Sequence, residues 1–272
     1  MNERIPLGRA VATVIVAFVA AQLAAKLSAD VAGTLVHHGT KLHSVRGVAS
    51  AEVIVPSMLA SQLVLLLAAL SAPLSLALPV RTTLRLHAAA PEVFVAASLG
   101  TVMLGPLGDV LMTTMARVFP GATLGVVPAL HEIAQKLPIW ALWPAFAFMP
   151  GVAEELLFRG VLQGAAGRSV FAVLLSGVGF ALFHVDPVHV AGVLPLGLFL
   201  AWVAQRSSTL VTLVAHVANN TIAVLTIHTA TLDVGYGTER QVPWPWVFVS
   251  LGLVAVCMRV VAHSTRPHAT DG

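Results

Sequence analysis

Apolar residues run through this chain in blocks longer than the core face of a soluble helix requires, and polar residues collect in the gaps between blocks. A helix needs about 20 mostly apolar residues to cross a bilayer. On that rule the pattern predicts helices near 9–28, 53–78, 91–118, 139–166, 169–186, 188–205, 207–228 and 243–262. That makes about eight spans, with six or seven as alternatives, because Asp186, Pro187 and His189 interrupt the two short blocks between 169 and 205. The expected fold class is all-α, a multi-pass transmembrane helical bundle.

Three gaps are more polar than the rest. The stretch 29–52 carries Lys41 and Arg46 and reads as a loop. The stretch 119–137 carries Gly121, Pro128, His131, Glu132 and Lys136 and reads as a re-entrant or interfacial piece. The stretch 229–242 carries Asp233, Glu239 and Arg240. With no internal repeat and no low-complexity tail, we expect one integral membrane domain. It divides into N-terminal helices without a recognised motif (1–137), a motif-bearing core (138–230), and a C-terminal helix and tail (231–272). Arg4 and Arg9 precede the apolar run Ala10–Ala25, which is slightly longer than the roughly 7–15 residues usual in a secretory signal, so it is expected to be a retained first span. The Ala-Thr-Asp-Gly ending is no prenylation box.

Composition sharpens this picture. Of 272 residues, 57% are hydrophobic and only 10% charged, against about 25% charged in soluble domains. Mean hydropathy is +0.89. The net charge of +3 contains no basic run, which argues against nucleic acid as a partner. Basic residues instead flank the apolar blocks. With the N-terminus inside, eight (Arg4, Arg9, Arg81, Arg85, Arg168, Arg206, Arg259, Arg266) fall inside and six (Lys26, Lys41, Arg46, Arg117, Lys136, Arg240) outside, a slight bias to that orientation. The single cysteine, Cys257, excludes an intrachain disulfide and a cysteine-based zinc site.

Ionisable groups inside a span cost roughly 2.5–3.5 kcal/mol on insertion scales, so they face a cavity or a partner. Here they gather in the second half of the chain. In Glu154-Glu155-Leu156-Leu157-Phe158-Arg159-Gly160, Arg159 follows Glu155 by four residues and can pair with it on one helical face. Glu154 points about 100° away and is left without the guanidinium. A carboxylate in such a site has its pKa pushed towards the range of a general base; a merely stabilising Glu–Arg clamp is the plainer reading. His184 closes Phe180-Ala181-Leu182-Phe183-His184, and a single imidazole on an apolar helix is often structural. His189 is expected at the membrane edge. His216 and Asn220 are four apart on one face, where Asn can also serve to join helices.

Depth ties these residues together. At about 1.5 Å per residue, Glu154 lies roughly 18 Å and His184 roughly 24 Å from the 167–168 turn, and His216 roughly 15 Å and Asn220 roughly 21 Å from Arg206. Four polar side chains from three neighbouring spans thus share one layer. A carboxylate, two imidazoles and an amide suit hydrolysis by an activated water with a stabilised oxyanion, worth roughly 3–4 kcal/mol per donor. Glu154, His184 and His216 could equally hold a catalytic zinc, and the residues alone leave both open. His131-Glu132-Ile133-Ala134-Gln135 falls short of a zinc-protease motif because Gln135 stands where the second histidine belongs.

The three motifs Glu154-Glu155-x3-Arg159-Gly160, Phe180-x3-His184 and His216-x3-Asn220, in this order, resemble those of the CPBP family. That family includes CAAX prenyl endopeptidases, bacterial CAAX-protease-like membrane proteins and bacteriocin-immunity relatives. The resemblance covers about 140–228, just under a third of the chain. It implies a membrane-embedded helical bundle enclosing a catalytic cavity, and an intramembrane endopeptidase of glutamic type acting on a membrane-associated protein or peptide. Carried over, Glu154 activates the water with help from His184, His216 and Asn220 stabilise the oxyanion, and Glu155 and Arg159 orient the site. No cofactor is expected, with zinc on Glu154, His184 and His216 as the alternative. The composition resembles bacterial members, so a bacterial inner or plasma membrane is the expected location, and prenylated CAAX proteins are not the expected natural substrate. A non-proteolytic immunity or scaffold protein, and a transporter relaying protons through the same groups, are the competing readings.

Overall fold

A computed structural model of the chain describes residues 4–36, 51–120, 133–134, 136–229, 231 and 240–265. In lipid every backbone N–H and C=O must be satisfied within the protein, and a helix does this within its own segment. The apolar blocks accordingly form α1 (Leu7–Val36) and α2 (Ala51–Leu74), then, after a one-turn helix α3 (Val80–Thr83), α4 (Pro91–Val118), α5 (Ile139–Ala166), α6 (Val170–Leu182), α7 (Pro187–Arg206), α8 (Thr209–Thr229) and α9 (Trp244–Ser264). There is no strand among the described residues.

Seven of these helices are long and apolar enough to cross a membrane. Among the apolar blocks the exception is α6. The pattern predicts a span over 169–186, but α6 has 13 residues and rises only about 20 Å, short of a bilayer core of about 30 Å. It stops where the sequence turns against helix. Val185 takes φ of 63°, a conformation a β-branched residue adopts only under strain. Pro187 then opens α7, and the Asp186 carboxylate caps it by accepting from the Val188 N–H at 2.9 Å.

Helix α5 forms the centre. Every residue from Ala153 to Gln163 is buried, and α1, α2, α6, α7 and α8 pack around it. The outermost of these, α1, turns Ala10, Ala17 and Ala21 inward and leaves Ile15, Val16, Val19, Leu23 and Leu27 outside, the distribution expected where small residues let helices approach and large ones meet lipid. On the other side α4 and α9 pack with α7 and α8 through Val93, Phe199, Val211, Ala215 and Val254.

Two features of α5 and its neighbours shape the interior of the bundle. Residues Pro144–Phe148 and Leu156–Gln163 wind as π-helix, and the second stretch begins immediately after the Glu154-Glu155 pair; wide turns of this kind often accompany functional positions. Close contacts also fix the spacing of the helices. A Cβ on Gly151 would come within 2.9 Å of the Val217 backbone nitrogen on α8, and one on Gly197 within 2.6 Å of the Gly177 carbonyl oxygen on α6.

The 75–90 connection is tied to the end of α7. The Arg85 guanidinium donates to the carbonyls of Ala204 and Ser207, and Ser208 Oγ donates to the His87 carbonyl at 2.8 Å. Burial and the nearby Arg168 and Arg4 guanidiniums lower the Arg85 pKa to about 10.

Candidate active site

Glu154 and Glu155 are consecutive on α5, so their side chains leave the helix about 100° apart and enter different surroundings. Glu155 is fully buried. Its Oε1 accepts from Arg159 Nη1 at 2.8 Å and from His216 Nδ1, on α8, at 3.0 Å. An ionised carboxylate can only accept, so the Nδ1 of His216 carries the hydrogen and, in the neutral ring, Nε2 presents a lone pair. Arg159 is held through both terminal nitrogens. It is fully buried, it donates from Nη2 to the Gly197 carbonyl on α7 at 2.9 Å, and its guanidinium carbon lies 4.5 Å from the centroid of the Phe180 ring. One helical turn further on, Gln163 repeats the pattern by donating to the Ala201 carbonyl at 2.8 Å. The predicted Glu155–Arg159 pair is therefore present, and it extends to an imidazole on another helix.

Phe180 is the hub of this arrangement. Its ring, 1% exposed, meets the Phe158 ring at 5.7 Å, the His216 ring at 5.6 Å and the His184 ring at 5.1 Å, each edge to face. His184 sits just past the end of α6 and its Nδ1 bonds the Phe180 carbonyl at 3.1 Å. A carbonyl only accepts, so His184 too holds its hydrogen on Nδ1 and turns Nε2 outward from its own helix end. The His189 ring, in the first turn of α7, lies 4.5 Å from that of His184, tilted by 60°.

Glu154 faces the other way. Its Oε1 accepts from Gln62 Nε2, on α2, at 3.0 Å, and the residue keeps 7% exposure. Asn220 lies one turn beyond His216 and is half-buried. Its Oδ1 accepts from Asn219 Nδ2 at 3.2 Å, which leaves its own amide N–H groups without a partner among the described residues.

The structure thus joins Glu155, Arg159 and His216 in one hydrogen-bonded network and brings His184 to the same aromatic ring. It does not bond Glu154 or Asn220 directly to either imidazole. Sequence reasoning leaves Glu154 without a partner; the structure supplies Gln62 from a helix that carries no motif. Gln62 had one legible signal. It is a carboxamide inside an otherwise apolar span, about 18 Å from the Leu74 end of α2, the same depth at which Glu154 stands from the Ala166 end of α5. The ring contact of His189 with His184 had none, since it depends on how tightly the chain turns at Val185. The near-miss zinc motif at His131, Glu132 and Gln135 lies outside the described residues.

The donors themselves test the zinc alternative. Among the described residues no three of His, Cys, Asp and Glu converge as a ligand set. His216 donates from Nδ1 to Glu155 and keeps Nε2 for another partner, while Glu154 accepts from Gln62 at one oxygen.

Residues 136–222 match the family model described as Rce1-like, type II CAAX prenyl endopeptidase Rce1-like. The matched segment runs through α5, α6 and α7 and into α8, and holds Glu154, Glu155, Arg159, His184, His216 and Asn220. No curated protein and no solved structure matches the chain.

Proposed function

We propose, on the match of residues 136–222 to the Rce1-like CAAX prenyl endopeptidase family model, that this multi-pass membrane protein is a CAAX-type intramembrane endopeptidase that works with a glutamate-activated water. The observation that carries the proposal is the division of labour between two adjacent carboxylates. Glu155 is neutralised by Arg159 and anchors His216. Glu154 is excluded from that pair, nearly buried, and bound at one oxygen only by a neutral amide. A nearly buried carboxylate that no cation bridges is the one placed to act as a base.

In this reading Glu154 takes a proton from a water whose oxygen attacks the scissile carbonyl carbon. The carbonyl oxygen becomes an oxyanion and accepts from the Asn220 amide N–H. His216, when protonated at Nε2, donates to the same oxygen while Nδ1–H stays on Glu155, so the ring cannot rotate away. On collapse the C–N bond breaks and the proton held by Glu154 passes to the leaving nitrogen, giving a carboxylic acid and an amine and returning Glu154 to its starting form. His184, with Nε2 free, relays protons at the open side. Phe180 and the lipid-buried helices keep out bulk water, which strengthens each of these contacts. The substrate class is a membrane-associated peptide or protein.

The test is cleavage by purified protein in liposomes, read by mass spectrometry, on a farnesylated CAAX-type peptide and on unlipidated membrane-tethered peptides, with and without chelator. Glu154→Gln is expected to lower the rate at least about 100-fold, the low end of a general base's contribution, and chelator to leave it unchanged. A wild-type rate in Glu154→Gln overturns the mechanism.

A further inference from the structure

The Gln62–Glu154 contact joins residues 92 positions apart, and Gln62 lies outside the matched segment 136–222. Helix α2 turns Gln62, Leu65, Ala69 and Ala72 inward. These positions repeat at the three- and four-residue steps of one helical face, and α2 packs on α5. Three of the four are apolar, as a helix interface in lipid would have them. Gln62 is 6% exposed, and its Oε1 is buried with no hydrogen-bond partner among the described residues.

That orphaned oxygen is informative. A buried polar atom without a partner costs more stability than a single hydrogen bond between membrane helices returns on average. A residue placed there for packing alone would do better as leucine. What the carboxamide supplies instead is an N–H donor that neither ionises nor carries charge, aimed at one oxygen of Glu154. A lysine or arginine in the same place would neutralise the carboxylate and remove it as a base. The amide holds the side chain while leaving its charge uncancelled. It also opposes rotation of Glu154 towards Arg159, whose guanidinium lies within electrostatic range of Glu154.

We propose that Gln62 is a positioning residue for the reaction, holding Glu154 Oε1 so that the other carboxylate oxygen meets the attacking water; the N-terminal half of the chain thereby completes a site otherwise contained in the family segment. This rests on the proposed role of Glu154. A misplacement of about 1 Å can cost on the order of 100-fold in rate, and loss of a group that orients a catalytic one costs about 10- to 100-fold.

The experiment compares Gln62→Leu, Gln62→Met and Glu154→Gln in full-length protein, reading kcat, KM and thermal midpoint on whichever tethered peptide the wild type cleaves. The expected result is a 10- to 100-fold fall in kcat for both Gln62 variants, with KM unchanged and the midpoint equal or higher. Wild-type kcat, a change in KM alone, or a fall in kcat that tracks a lowered midpoint in both variants overturns the proposal. The two readings fail separately. If Glu154→Gln is inactive and Gln62→Leu is unimpaired, only the role of Gln62 falls; if Glu154→Gln cleaves normally, the glutamate mechanism falls and Gln62 with it.

Discussion

Replacing Arg159 with methionine deletes the guanidinium and keeps most of the side-chain length. In the wild type Glu155 and Arg159 are both fully buried and meet at 2.8 Å. Two effects oppose each other in such a pair. Taking both ions out of water is expensive, so exchanging the whole pair for apolar residues is often neutral or favourable; removing one partner strands the other and costs about 3–5 kcal/mol. Arg159→Met falls in the second class. It also removes the contact with Phe180, worth about 0.5–2 kcal/mol. His216 remains hydrogen-bonded to the same Glu155 oxygen, which moves the carboxylate's share to the lower end. A net loss of about 3–5 kcal/mol results. At roughly 2–4 °C per kcal/mol for a chain of this size, the midpoint drops on the order of 10 °C. Thermal unfolding at a fixed scan rate in detergent, followed through the five tryptophans, measures this. Glu155→Leu alone should lose a similar amount, because it strands the guanidinium. The double variant Arg159→Met/Glu155→Leu should regain at least about 2 kcal/mol relative to either single change. If Arg159→Met melts within about 2 °C of the wild type, or the two losses simply add, the pair does not hold the centre of the bundle.

The other expectations concern the same bundle. Gly151→Ala puts a methyl group against the backbone of Val217, one residue from His216; overpacking of this kind costs about 1–3 kcal/mol, and forcing α5 and α8 apart should lower the cleavage rate more than Gly197→Ala, which pushes α7 from α6. His216→Phe preserves the Glu155–Arg159 pair, so activity should fall sharply while the melting midpoint drops less than in Arg159→Met. For Arg85 the folded pKa of about 10 lies below the ordinary value of 12.5. The unfolded chain therefore binds that proton more tightly, and stability gains from this group as pH rises from about 10 towards 12.5 rather than being lost there. Arg168→Gln removes one of the charges responsible, so it should raise the midpoint at pH 7 and flatten that alkaline gain, both visible in melts across a pH series.

Some of this protein was legible one residue at a time. The apolar blocks set the helices, because lipid leaves no other way to satisfy the backbone, and seven of the eight predicted blocks became helices long enough to cross. The Glu155–Arg159 pair followed from a four-residue spacing on one helix. The family resemblance rested on three such local patterns, and the match over 136–222 agrees with it. Where local pattern failed, a tertiary or backbone term decided. Hydropathy alone extends α6 to residue 186; the strained turn at Val185 and the cap by Asp186 end it at Leu182.

By itself the sequence determined that the chain is an all-helical membrane bundle and that a few costly polar groups share one depth, since hydropathy and helical phase are properties of neighbouring residues. Only the folded arrangement decided which carboxylate belongs to which partner. Glu154 and Glu155 are adjacent and chemically alike, and nothing in their spacing assigns His216 to one and Gln62 to the other. That assignment comes from the directions in which one helix presents two consecutive side chains and from which neighbouring helices, 61 and 92 residues away along the chain, lie close enough to meet them.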